Sequence, residues 1–293
     1  MTTAIIHLGL PKTGTTSLQV ACAKGSEALV AKGILYPRDE YLTYGAIQHQ
    51  ALAVGVGSES IDWIDETVRR LRQTAEGHPI LLISSERFAA LLHDPKTFDR
   101  MRAFRDALNR EFERVEFVCT IRSERSLLTS TIRTKLDGHG MPLDGAAFIR
   151  SEVAGFFDMN RAIAEIFAGQ LRVLRFEELV AQPFPTSLLK ACTGVDYPLP
   201  DLKRNTSEDK DARRFLMSNV RMLLFNYTGE PSPHTPKIHE AYRRIFAGIE
   251  LDPEIDDEIT GMLTEWIDVQ LDAALREHPG SLDAIYGLPA SAT

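Results

Sequence analysis

Cysteine is scarce in this chain: three in 293 residues, Cys22, Cys119 and Cys192, far apart and without metal-ligand spacing. That argues against a disulfide framework or a cysteine-based metal site, and thiols in apolar segments behave as small hydrophobes. No run of eighteen apolar residues occurs, which removes a membrane-spanning helix, and residues 1–10 lack the basic start and long apolar core of a secretion signal. A cytoplasmic protein is expected. Basic charge is short as well. With 33 Lys and Arg against 41 Asp and Glu the net charge is −8, so a general binder of nucleic acid or of anionic membrane is not expected, although a locally basic pocket is compatible with an acidic surface. Internal repeats are absent, and the one mildly biased segment is the small-residue end at 290–293.

What remains is an ordinary globular composition, 44% hydrophobic and 25% charged, enough to bury a sizeable core. Apolar runs of strand length begin at residue 4 and recur at 79–84, 115–121 and 171–176, with a short extended piece at 33–37. Between them lie helical patterns at 17–32, 61–75, 96–112 and 124–136, then a helix pair through residue 168. Residues 38–60 read as irregular and 137–142 as a flexible loop. The alternation predicts an α/β fold, a parallel β-sheet flanked by helices, with ligands beyond the carboxyl ends of the strands. From residue 211 the strand signal stops. Val220, Leu223, Leu224 and Tyr227 share one helical face, and Ile255, Ile259, Met262, Leu263, Trp266 and Ile267 another. One domain over 1–293 is expected, with an α/β core at 1–210 and a helical extension at 211–293.

The densest pattern follows the first strand: Gly9-Leu10-Pro11-Lys12-Thr13-Gly14, then Thr15, Thr16 and Ser17 opening a helix. Glycines permit the turn that aims successive N–H groups at an anion, and the free N–H groups and positive dipole end of the helix reinforce it. The spacing from Gly9 to Gly14 matches the start of the nucleotide-triphosphatase P-loop. However, Thr15 and Thr16 stand where that loop needs Lys followed by Ser or Thr, and the lysine, Lys12, is inside the turn.

Pro11-Lys12-Thr13-Gly14-Thr15-Thr16-Ser17-Leu18 resembles the 5′-phosphosulfate loop of sulfotransferases that use 3′-phosphoadenosine 5′-phosphosulfate (PAPS). Arg122, at a strand end and followed eight residues later by Ser130, resembles that family's 3′-phosphate motif, a guanidinium fork joined by a hydroxyl. Arg175-Phe176-Glu177-Glu178-Leu179 is similar to a stretch after the fourth strand in many members. Lys203-Arg204-Asn205-Thr206-Ser207 is loosely similar to the loop closing over the 3′-phosphate and adenine, without its Arg-Lys-Gly form.

The resemblance implies a P-loop-like fold and transfer of a sulfuryl group from PAPS to a hydroxyl or amine of a small-molecule or carbohydrate-like acceptor, releasing PAP and requiring no metal. Pro11 to Ser17, Arg122, Ser130, Arg204, Asn205 and Ser207 would hold the nucleotide, and Lys12 would neutralise charge on the departing bridging oxygen. A hydroxyl acceptor also needs a base. Glu86, just past the second apolar strand, is the first candidate, and a helix-capping carboxylate is its competing role. His49 follows, then His7 and His139. A P-loop kinase or NTPase is the competing enzyme, opposed by Thr15 in the lysine's place and by Thr120-Ile121-Arg122 at a strand end. A PAP-binding protein without turnover is the non-catalytic alternative. Acceptor identity and oligomeric state stay open.

Overall fold

The computed structural model describes residues 1–38, 47–139, 145–180, 183–199, 253–278 and 280–289. Five strands, β1 (Thr3–His7), β2 (Ile34–Leu35), β3 (Ile80–Ser84), β4 (Arg114–Ile121) and β5 (Leu171–Arg175), form one sheet in the order β2-β3-β1-β4-β5, every pairing parallel. The α/β reading therefore holds. Central strands covered on both faces need apolar residues at nearly every position, which is why β1 and β3 read as continuous runs, buried at four of five positions each.

The register aligns Ile5 with Leu82 and Glu116, and His7 with Ser84 and Val118. Since side chains alternate along a strand, Ile5, Leu82 and Val118 share one face. They pack there with Leu18, Ala21 and Cys22 of α1 (Thr15–Lys24) and Leu188, Leu189 and Cys192 of α10 (Phe184–Thr193). On the other face Phe117 stacks on Phe167, ring centroids 4.1 Å apart. The connection leaving β1 runs to the β2 side of the sheet and the one leaving β4 runs to the β5 side. The crevice between the carboxyl ends of β1 and β4 is thus a topological switch point, where open α/β sheets bind ligands.

The remaining helices are α2 (Ser26–Val30), α3 (Gln50–Ser58), α4 (Ile61–Thr74), α5 (Glu86–Leu91), α6 (Phe98–Glu111), α7 (Glu124–His139), α8 (Gly145–Ile166), α9 (Phe176–Leu179), α11 (Pro253–Glu277) and α12 (Leu282–Tyr286). Several depart from the sequence reading. The single helix expected over 17–32 is broken at Gly25. Residues 50–58, expected to be irregular on account of their glycines, are helical, and Gly55 is there for packing: a Cβ would stand 2.1 Å from the Trp63 ring. The loop expected at 137–142 is helical as far as His139, and one 22-residue helix, α8, replaces the expected pair. The face at 220–227 lies outside the described residues.

The chain divides into two compact units that interleave along the sequence: residues 1–123, 158–204 and 282–293 in the first, 124–157 and 205–281 in the second. The last helix, α12, is thus part of the sheet-bearing unit. Its Tyr286 hydroxyl donates to Asn160 Oδ1 at 2.6 Å, and Asp283 pairs with Arg175 at 2.8 Å. Within the second unit Arg125 of α7 pairs with Asp268 and Asp272 of α11. Among the described residues no helix is long and apolar enough to cross a membrane.

Candidate functional site

The turn between β1 and α1 holds three left-handed residues within six positions: Gly9 at φ 58°, Lys12 at φ 65° and Gly14 at φ 77°. Lys12 is the one non-glycine residue among the described residues with positive φ. A side chain in that region costs about 1 kcal/mol or more, and such strain collects where a site needs a particular backbone course. Left-handed residues alternating with others turn N–H groups toward the inside of the bend, making a concave cradle for anions. Gly14 is also the N-cap of α1 and supplies no capping side chain. The N–H groups of Thr15 and Thr16 have no intrahelical acceptor and face the positive end of the helix dipole.

The loop is braced from within. Thr13 Oγ1 donates to the Leu10 carbonyl at 2.7 Å, and Thr15 Oγ1 approaches the same oxygen at 3.5 Å, both side chains buried. Thr15 was expected to fix the 5′ end of a ligand. Its hydroxyl is turned into the loop, so what it offers an anion is its backbone N–H. Thr16 and Ser17, in the first turn of α1, stay partly exposed, as do Pro11 and Lys12.

Glu86 is the first residue of α5, whose N-cap Ser85 accepts from Arg87 N at 3.2 Å. Ser85 therefore caps the helix, and Glu86 does not fill the capping role. Burial raises its carboxyl from the ordinary 4.5 to about 7, while the Lys12 charge pulls the other way. A Cβ on Gly9 would sit 3.4 Å from Glu86 Cγ, so the carboxylate flanks the loop. A cation, a turn with three left-handed residues leading into an uncapped helix N-terminus, and a carboxyl whose pKa burial raises thus meet at the carboxyl ends of the strands, a combination suited to moving a proton beside a charged group.

Arg122 directly follows β4 and lies over the Phe176 ring, 5.1 Å from its centroid. Phe176 in turn meets Phe184 at 5.0 Å, and Phe184 packs on Gly14. This aromatic bridge from the loop to Arg122 was not anticipated, because its two rings come from separate segments and carry no spacing signal. Ser130 lies two turns into α7, in the second unit, where its carbonyl accepts from Thr134 Oγ1 at 2.9 Å. Arg204, Asn205 and Ser207 lie outside the described residues. His139 is the last residue of α7.

His49 does not have the surroundings of a base. It is fully buried, its Nδ1 accepts from Ser84 N at 3.0 Å and its Nε2 donates to the Pro37 carbonyl at 2.8 Å. Both nitrogens are committed to backbone, and burial lowers its pKa to about 4. It ties Pro37 to the end of β3. His7 is also fully buried, its pKa likewise lowered to about 4 by desolvation. Among the described residues no group of His, Cys, Asp or Glu side chains could hold a metal ion. Compared with protein-family models and with curated proteins, the chain matches none.

Proposed function

We propose that this chain is a PAPS-dependent sulfotransferase acting on a hydroxyl or amine of a small-molecule or carbohydrate-like acceptor. The observation carrying the reading is the loop itself: Lys12 held left-handed between Gly9 and Gly14, opening onto the uncapped start of α1. A lysine within the turn, rather than at its end, suits an oxygen bridging two ester groups.

In the proposed reaction the loop N–H groups and those of Thr15 and Thr16 hold the 5′-phosphosulfate, and Arg122 binds the 3′-phosphate. Acceptor oxygen attacks sulfur in line, the bond from sulfur to the bridging oxygen breaks, and PAP leaves with its new charge beside the Lys12 ammonium. The acceptor proton passes to Glu86. With a pKa of about 7, this carboxylate is substantially ionised at neutral pH yet basic enough to accept a proton, the balance general-base catalysis favours.

Calorimetric titration with PAP tests the reading. Wild-type protein is expected to bind, with Lys12→Ala and Arg122→Ala each weakening affinity at least tenfold and Glu86→Gln binding as before. Absence of PAP binding by folded wild type rejects the proposal, and Mg²⁺-dependent ATP hydrolysis replaces it with the kinase or NTPase reading.

A further inference from the structure

Directly beneath the loop lies a polar network buried among apolar side chains. His7 Nδ1 is 2.9 Å from Ser84 Oγ, and His7 Nε2 is 3.3 Å from Thr120 Oγ1. Gln19 Nε2, on α1, donates to both the carbonyl and the hydroxyl of Ser84 at 3.3 Å. All four side chains are at most 1% exposed.

One assignment of protons satisfies these contacts. Donation to the Ser84 carbonyl fixes the Gln19 amide nitrogen as the donor, so Ser84 Oγ accepts from it, and in this assignment Ser84 gives its own hydrogen to His7 Nδ1. His7 then carries its proton on Nε2 and donates to Thr120. The neutral ring this requires is the form that burial favours.

The placement of the network matters more than its energy. His7 ends β1 and Ser84 ends β3, while Thr120 is the last residue but one of β4. Two residues beyond each of these three strand-end members stands a component of the site: Gly9, where the loop begins, Glu86 and Arg122. The backbone repeats the connection, because Ser85 N donates to the His7 carbonyl at 3.1 Å. The backbone ladder sets the heights of the three strands, and an apolar residue at position 7 would fill the space without adding to that restraint. A ring hydrogen-bonded at both nitrogens ties the side chains at the three strand ends together as well, since its two bonds lie in one plane at a fixed angle.

We propose that His7 is a positioning residue, which through Ser84 and Thr120 ties together the strand ends that carry the anion loop, Glu86 and Arg122 and so preorganises the site for its anionic ligand. This rests on the site assigned above. Buried polar networks that are fully satisfied specify one arrangement of their surroundings, and a misplacement of about 1 Å at a reacting site can cost about a hundredfold in rate.

The test uses His7→Phe, which keeps a ring but deletes both hydrogen bonds, and His7→Gln, which restores a donor and an acceptor. Ser84→Ala and Thr120→Val are milder deletions that serve if His7→Phe does not fold. Two quantities are read on folded protein well below the melting temperature: the PAP dissociation constant and the Glu86 carboxyl titration, followed by carbon NMR and assigned with Glu86→Gln. His7→Phe, or the pair Ser84→Ala and Thr120→Val, is expected to weaken PAP at least tenfold and to move the Glu86 midpoint down by about one pH unit as water enters, with His7→Gln recovering most of both.

A merely structural histidine would lower the melting temperature and leave both quantities unchanged, and that result overturns the proposal. If wild type does not bind PAP, the assigned function fails. The Glu86 titration still decides whether His7 positions that carboxylate.

Discussion

The ring of Phe184 occupies the space that any side chain at residue 14 would need: a Cβ on Gly14 would stand 2.2 Å from Phe184 Cε1. The loop is thereby pinned from outside by an aromatic ring and braced from inside by Thr13. Gly14 also adopts a left-handed φ of 77°, so two independent constraints exclude a substituent there.

Gly14→Ala is therefore expected to cost about 2–4 kcal/mol, from backbone strain and from displacement of the ring, and to weaken PAP binding more than tenfold. Phe184→Ala removes the clash and leaves the strain. In a double-mutant cycle by chemical denaturation, the doubly substituted protein is expected to be less destabilised than the sum of the single variants. Simple additivity would mean that the ring does not constrain the loop.

Burial of the Glu86 carboxyl opposes its ionisation, so this residue's own contribution to stability is smaller at neutral pH than in mild acid. Its folded pKa, about 7, lies above the ordinary 4.5. The stability it contributes is present below about 4.5 and is lost as pH rises through 7. Glu86→Gln, neutral throughout, is expected to gain about 1–2 kcal/mol over wild type at pH 8, with the gain vanishing near pH 4.5. Urea denaturation at the two pH values checks this. The same variant should retain PAP binding and lose sulfuryl transfer, trading activity for stability.

His49 gives the opposite sign. Its folded pKa of about 4 is below the ordinary 6.5, so its contribution is present above 6.5 and is lost as pH falls toward 4. His49→Phe leaves the Ser84 N–H and the Pro37 carbonyl unpaired in the interior, which is expected to cost about 2–4 kcal/mol. Per folded molecule, PAP affinity and transfer should stay close to wild type. Lost transfer with unchanged melting temperature would instead make His49 the base.

How far the sequence could be read follows from where each signal originates. β1, β3 and β4 announce themselves as apolar runs because a parallel sheet buries both faces, and the anion loop is a local pattern of glycine, lysine and hydroxyl residues. Glu86 could be singled out from its place after a strand, but its raised pKa depends on burial that no neighbour in sequence reports. His7 and His49 looked like possible bases because the partners that commit their nitrogens, Ser84, Thr120 and Pro37, are separated from them by 12 to 113 residues. The glycines that suggested irregular chain at 50–58 are needed inside a helix, since Trp63 comes up against Gly55. Phe176 and Phe184 could not be linked to the loop until the fold brought their rings together.

The most direct test of the central claim is a crystal structure of the protein with PAP. The account predicts the 5′-phosphate seated in the turn from Gly9 to Gly14, within hydrogen-bond distance of Lys12 Nζ and of the Thr15 and Thr16 N–H groups, with the Glu86 carboxylate facing the position a sulfuryl group would occupy. PAP bound elsewhere with that turn empty would contradict it.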